Sequence, residues 1–249
     1  MNILAIDAGN TRIKWGLTDA TRDGGWLRHD ALPTADAATL GAALMDLPRP
    51  DRVVIANVAG AAVRAALTQT LATLNVAPQW VRGRQQQCGV KSGYAEPAQL
   101  GADRWAGVIA AWHLYGCACV VVNAGTTMTV DALSHEGVFL GGVIVPGLTL
   151  MRRSLASGTA QLPLAEGTFC YFPDNTADAI MSGALNALTG AIARMVGYME
   201  ESSQAAPLVV LSGGTASIIA PRLNFLKAKC ELVDNLVLEG LRVIAKESV

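Results

Sequence analysis

The sequence predicts an α/β protein made of two similar halves, residues 1–116 and 117–249. Three observations point there. Strand-like apolar runs alternate with Ala/Leu-rich stretches of helical length along the 249 residues. A short motif occurs twice, Ala5-Ile6-Asp7-Ala8-Gly9-Asn10-Thr11 lining up with Val121-Val122-Asn123-Ala124-Gly125-Thr126-Thr127. In both copies a strand enters the motif and a second strand leaves it. Two such halves have a natural binding site in the cleft between them.

The first half opens with strands expected over residues 3–7 and 12–18, with a third over 26–32. A helix is expected over 35–47, stopped by Pro48 and Pro50. A strand over 52–57, a helix over 61–74 and a strand over 79–82 follow. Residues 85–100 carry many Gln, Gly and Pro residues and read as an irregular loop. A helix is expected over 102–115. The pattern restarts after Gly116 with strands over 119–123, 128–133 and 138–145, closed by Pro146-Gly147. Helices are expected over 148–156 and 176–200, around an irregular stretch. A strand over 208–211 runs into Ser212-Gly213-Gly214. A short strand over 231–233 and a helix over 236–246 end the chain.

Composition narrows the function. Nineteen Lys and Arg against 20 Asp and Glu leave a net charge of −1, which is no footprint for nucleic acid or an anionic membrane. Charged residues are 16% and hydrophobic residues 51%, which fits large buried surfaces and an apolar subunit interface. No uninterrupted apolar run reaches the length of a membrane span. The N-terminus meets Asp7 after a few apolar residues and does not read as a signal peptide. The five cysteines, Cys88, Cys117, Cys119, Cys170 and Cys230, form no disulfide framework and are expected as buried core thiols in a reducing, cytoplasmic setting.

The chemistry is carried by short motifs. Asp7-Ala8-Gly9-Asn10-Thr11-Arg12-Ile13-Lys14 is a candidate phosphate cradle. Gly9 lets the backbone approach a ligand, and N–H groups in such a turn can hold phosphate oxygens. Asn10 and Thr11 add short donors and Lys14 a point charge. Asp7 can hold Mg²⁺ through its water shell. An ordinary hairpin with Asn in a left-handed position is the plainer reading. Asn123, Gly125 and Thr126 repeat the element, and Gly213-Gly214 would permit close approach of a flat ring or of phosphates. In Tyr94-Ala95-Glu96-Pro97-Ala98-Gln99-Leu100-Gly101-Ala102-Asp103-Arg104-Trp105, Asp103 is a candidate base for a hydroxyl and Arg104 a planar fork for a carboxylate. Gly101 permits close approach, beside Ala102, and Tyr94 can wall a pocket. Asp103 near a helix start can also serve the helix alone.

The three glycine elements, in this order, resemble the phosphate-1, phosphate-2 and adenosine motifs of the acetate and sugar kinase/actin superfamily. That resemblance implies a duplicated ribonuclease-H-like fold (the actin-like ATPase fold) with ATP in the cleft between the halves. It leaves the substrate open. The 94–105 segment resembles the Y-x-x-P-x-x-L-G-x-D-R-W signature of type III pantothenate kinase. Gly141-Gly142-Val143-Ile144-Val145-Pro146-Gly147, Thr159-Ala160-Gln161-Leu162-Pro163 and Asn175-Thr176-Ala177-Asp178-Ala179-Ile180 with Gly183 resemble further segments of that family. The resemblance implies transfer of the ATP γ-phosphoryl group to the primary hydroxyl of pantothenate, giving 4'-phosphopantothenate, the first step towards coenzyme A. It implies a substrate contact at Thr176, which could also cap a helix. It further implies Mg²⁺, a homodimer whose interface contributes to the substrate pocket, and K⁺ or NH₄⁺ bound by an aspartate opening the second motif. Here that position is Asn123, so the cation is dispensable, replaced or held differently. The rival readings are another small-molecule kinase of the same fold and a non-catalytic nucleotide-binding regulator.

Overall fold

The computed structural model describes residues 1–21, 25–203 and 206–247. The chain forms two compact units. The first holds Met1–Gly116, Gly137–Phe139 and the segment from Asn235 onward, and the second holds Cys117–Glu136 and Leu140–Asp234.

The first unit contains β1 (Asn2–Ala8), β2 (Arg12–Asp19), β3 (Arg28–Pro33), α1 (Leu40–Leu44), β4 (Arg52–Asn57), α2 (Ala61–Leu71), β5 (Gln79–Trp80), β6 (Gln86–Gln87), β7 (Val90–Ser92) and α3 (Ala102–Tyr115). Its main sheet has the order β3-β2-β1-β4-β5. The β1–β2 and β2–β3 pairs are antiparallel, and the β1–β4 and β4–β5 pairs are parallel. Ile3 to Ile6 and Val53 to Ala56 are fully buried without alternation, because helices cover both faces of these strands. On one face Leu4, Ile6, Ala8 and Ile55 pack with Leu40, Leu44, Leu67 and Leu71. Each such side chain contributes about 1.5–3 kcal/mol of burial.

The second unit contains β8 (Cys119–Ala124), β9 (Thr127–Leu133), most of β10 (Val138–Pro146), α4 (Leu148–Gly158), α5 (Thr176–Ser203), β11 (Leu208–Ser212), α6 (Ala216–Ile219) and β12 (Cys230–Leu232). The order β10-β9-β8-β11-β12 repeats that of the first sheet. Again β8–β9 is antiparallel, and β8–β11 and β11–β12 are parallel. This shared strand order is the ribonuclease-H-like arrangement, present twice.

Helix α5 shows how pattern becomes packing. Ala184, Leu185, Leu188, Ile192, Met195, Val196 and Met199 recur at helical spacing and are buried against Val120, Val122 and Leu211. By length and composition α5 could cross a bilayer, and half of its most apolar window is buried in the structure.

Several expectations are corrected. The last helix, α7 (Leu236–Glu247), belongs to the first unit, not to a half running over 117–249. Gly240 makes this possible, because any Cβ there would run into the Ala106 backbone of α3. The 85–100 loop contains β6 and β7, and Lys91 and Ser92 pair in parallel with Val138 and Phe139. The 35–47 helix is a 3₁₀ segment over Thr34–Thr39, kinked at Asp36, followed by the short α1. Of the cysteines only Cys119 is buried. Cys117 is exposed, and Cys88, Cys170 and Cys230 are half-buried.

Candidate active site

The first hairpin carries Asp7 and Ala8 at the end of β1, a turn through Gly9, Asn10 and Thr11, and Arg12, Ile13 and Lys14 on β2. Asp7 faces Lys14 across the ladder. The Gly9 N–H donates to the Arg12 carbonyl at 3.1 Å. Neither Gly9 nor Asn10 has a positive φ, so the left-handed Asn reading is wrong. Gly9 serves close approach, since a Cβ there would lie 3.2 Å from the Arg12 oxygen. The Thr34 hydroxyl donates to the Gly9 carbonyl at 2.7 Å, and the Val58 N–H to the Ala8 carbonyl at 3.0 Å. Asn10, Thr11 and Arg12 stay exposed on this braced turn.

Asp103 and Arg104 occupy the first turn of α3, after Gly101 and the buried Ala102. Asp103 lies close enough to Asp7 for their charges to interact. Burial first, and then the Asp103 charge, push the Asp7 carboxyl up to about 7, against the pull of Lys14. Burial also raises Asp103, opposed by the N–H groups of Arg104 and of Asp103 itself and by the Arg104 charge. The Arg104 N–H donates to Asp103 Oδ1 at 2.8 Å. The N-cap of α3 is Gly101, and it is the Asp103 carboxylate that accepts free N–H groups of the first turn, so Asp103 serves the helix start as well as facing Asp7. Arg104 is only 7% exposed. Its Nη1 donates to the Tyr94 hydroxyl at 3.1 Å, and its guanidinium lies 5.6 Å from the centroid of the Phe139 ring. Tyr94 and Phe139 pack with centroids 5.2 Å apart. Thus Asp7, Lys14, Tyr94, Asp103 and Arg104 form one cluster in the first unit. Phe139 was missed by sequence reasoning, since a lone Phe on a distant strand gives no signal.

In the second unit Asn123 is the next-to-last residue of β8, with Gly125 and Thr126 exposed in the turn to β9. The Gly125 N–H donates to Thr127 O at 3.0 Å, and the Gly147 N–H to Thr126 O at 2.9 Å. Thr215 donates through its N–H and its hydroxyl to the Ala124 carbonyl, at 3.2 and 2.9 Å. Gly213 has φ +100, and a Cβ on it would sit 2.5 Å from the Ala124 oxygen. Gly214, beside it, is exposed. Gly147 belongs to this turn as well, through a contact that no local sequence signal marks. A Cβ on it would overlap the Gly125 and Thr126 carbonyls, so it seats the turn.

A family model described as type III pantothenate kinase matches residues 3–198. A type III pantothenate kinase of Nitrosospira multiformis is 47% identical over 246 residues, covering 99% of this chain and 92% of that one. The chain belongs to the type III pantothenate kinase family. The Aromatoleum aromaticum type III pantothenate kinase is 49% identical over 245 residues, covering 98% of each chain. A crystal structure of the ethanolamine utilization protein EutJ from Carboxydothermus hydrogenoformans matches with a TM-score of 0.59 at 14% identity, covering 99% of this chain and 90% of that one. That likeness concerns the fold, which is the duplicated ribonuclease-H-like one.

For a type III pantothenate kinase the remaining residue of interest is Thr176. It is the first residue of α5, exposed, on an open groove of about 770 Å³ that includes Met151, Leu155, Leu162 and Ile180. It does not cap α5. Asn175 does, its Oδ1 accepting the Asp178 N–H at 3.0 Å while Asp178 Oδ2 accepts from Asn175 Nδ2 at 2.7 Å. The Thr168 N–H and Asn175 hold the Asp178 carboxyl below its ordinary range.

Proposed function

We infer that the chain transfers the γ-phosphoryl group of ATP to the primary hydroxyl of pantothenate, in coenzyme A biosynthesis. Family membership supports the reaction class. The observation that carries the mechanism is the cluster of Asp103, Arg104 and Asp7 on the first unit. Arg104, held by Tyr94 over Phe139, offers its fork to the pantothenate carboxylate. Asp103 orients the hydroxyl. The hydroxyl oxygen forms a bond to the γ-phosphorus, the bond from phosphorus to the ADP oxygen breaks, and the proton passes to Asp103. A carboxylate whose pKa is raised by burial is a stronger base for that proton.

Both hairpins are proposed to bind ATP phosphates through backbone N–H groups, with Lys14 adding charge at the first and Gly213-Gly214 admitting the adenosine. Asp7 fits a divalent cation. It is a carboxyl disfavoured by burial and by a second carboxyl, and Mg²⁺ held through water would relieve that repulsion and neutralise phosphate charge. A charged monovalent-cation ligand does not fit at Asn123, whose ladder neighbours are the neutral Thr129 and Ser212. We propose that the second hairpin works without one.

Leu155 of the Thr176 groove is exposed, and so are Leu140, Ile144, Leu164, Tyr171 and Phe172 in the same unit. A second copy is the proposed cover, giving a cytoplasmic homodimer with Thr176 as a further acceptor contact. The test is a coupled ADP-release assay with Mg-ATP and pantothenate. Pantothenate-dependent release is expected. Folded protein that binds ATP but phosphorylates no acceptor would favour a regulator, and turnover only with another acceptor would favour a different kinase.

A further inference from the structure

We propose that Gln87 is a positioning residue for the acceptor, acting through Trp105. The proposal rests on the kinase reading given above. Trp105 directly follows Asp103 and Arg104 on α3 and is fully buried. Its indole N–H donates to Gln87 Oε1 at 3.0 Å. Gln87 is itself 6% exposed, the last residue of a two-residue strand far from α3 in sequence. A buried indole N–H needs a partner, and a buried amide that served no purpose would be costly.

The turn that carries Gln87 is anchored twice more. Cys88 takes a left-handed conformation with φ +49. Its N–H donates to Glu247 Oε1 at 2.6 Å and its thiol to Glu247 Oε2 at 3.2 Å. Gly89 lies against Trp112 of α3, where a Cβ would come within 3.0 Å of the indole nitrogen. The turn is therefore fixed to both α3 and the end of α7 before Gln87 reaches Trp105. From the neighbouring strand and the segment after β7, Phe139 and Tyr94 hold Arg104. Two successive residues of the first turn of α3, Arg104 and Trp105, are thus each tied to the β6-β7-β10 edge, which holds Asp103 and Arg104 in one orientation while the acceptor binds. Small misplacements of such groups are expensive in rate.

The experiment is steady-state kinetics on wild type, Gln87→Leu, Trp105→Phe, the double variant and Gln87→Glu, with melting temperatures alongside. Gln87→Leu should raise the pantothenate KM and lower kcat, together costing about tenfold or more in kcat/KM, with the ATP KM unchanged. Trp105→Phe should do the same, and the double variant should cost less than the product of the two. Gln87→Glu keeps an acceptor for the indole N–H and should recover most of the loss. If Gln87→Leu does not fold, Trp105→Phe carries the same test. Wild-type turnover with unchanged pantothenate parameters in Gln87→Leu or Trp105→Phe overturns the proposal. So does an equal loss in the ATP and pantothenate parameters that tracks the melting temperature, which would make the pair merely structural. Absence of wild-type turnover is a different result. It removes the kinase reading itself and the proposal with it.

Discussion

The two hairpins share a backbone device and differ in chemistry. At the first, the Ala8 carbonyl accepts the Val58 N–H from beyond β4. At the second, the Ala124 carbonyl accepts the Thr215 N–H from beyond β11. The supports are equivalent, yet the second turn is one residue shorter, because Ala8 pairs with Ile13 and Ala124 with Met128. That difference sets the rungs. Asp7 faces Lys14, whereas Asn123 faces Thr129, with Ser212 on its other side. One hairpin ends in charged groups beside Asp103, the other in neutral ones. The same scaffold occurs twice, and what differs is the side chains on one rung, charged at the first hairpin and neutral at the second.

If chemistry is concentrated at the first hairpin, Asp103→Asn gives the largest effect. Turnover should fall by about 10²–10⁴ while ATP affinity stays within about twofold of wild type. Single-turnover kinetics with a separate nucleotide-binding measurement would check it, and an equal fall in both would erase the distinction. Arg104→Lys comes next. A point charge reproduces neither the fork nor the bond to Tyr94, so the pantothenate KM should rise by about tenfold with a smaller change in kcat. An unchanged KM would make Arg104 a structural residue.

Asp7 sharpens the comparison through stability. Its folded pKa of about 7 lies above the ordinary 3.8. Between those values the folded chain holds a proton that the unfolded chain has released, so this group's contribution to stability falls as pH rises from 3.8 to 7. Asp7→Asn abolishes that loss. At pH 8, without ligands, the variant should be more stable by about 1–3 kcal/mol, and at pH 4 nearly equal to wild type. Chemical denaturation at the two pH values reads this directly. A less stable variant at pH 8 would mean that Lys14 more than offsets the burial of Asp7.

Much of this was legible in the sequence because the deciding signals are local. The strand–turn–strand elements, the 94–105 segment and the α5 stripe each lie within one continuous stretch, and the repeat is two such stretches that match each other. What was not legible depends on partners remote in the chain. Strands β6 and β7 are two and three residues long, and β7 is fixed by Val138 and Phe139. Phe139 and Gln87 reach Arg104 and Trp105 only after that pairing. The amphipathic face of α7 gives no hint of which sheet it covers, and it was Gly240 against Ala106 that set the choice. The cap of α5 was a local miss, since Asn175 and Thr176 are both good caps and the register of the first turn picked Asn175.

The smallest expected effect concerns the neutral hairpin itself. An amide on the Asn123 rung carries no charge for a monovalent cation to neutralise, and Thr129 and Ser212 add none. Rates with Na⁺, K⁺ or NH₄⁺ as the sole monovalent cation should therefore agree within about twofold, a barrier difference of only about 0.4 kcal/mol. Asn123→Asp converts this rung towards the charged kind found at Asp7, but with Thr129 in the place of Lys14. The new carboxylate has no cationic partner on its rung, so a bound cation becomes its cheapest compensation. That variant should show a clear preference among the three ions where wild type shows little. If wild type already depends strongly on K⁺ or NH₄⁺, the rung is not neutral in function, and the ion is held by oxygen ligands other than a side chain at position 123.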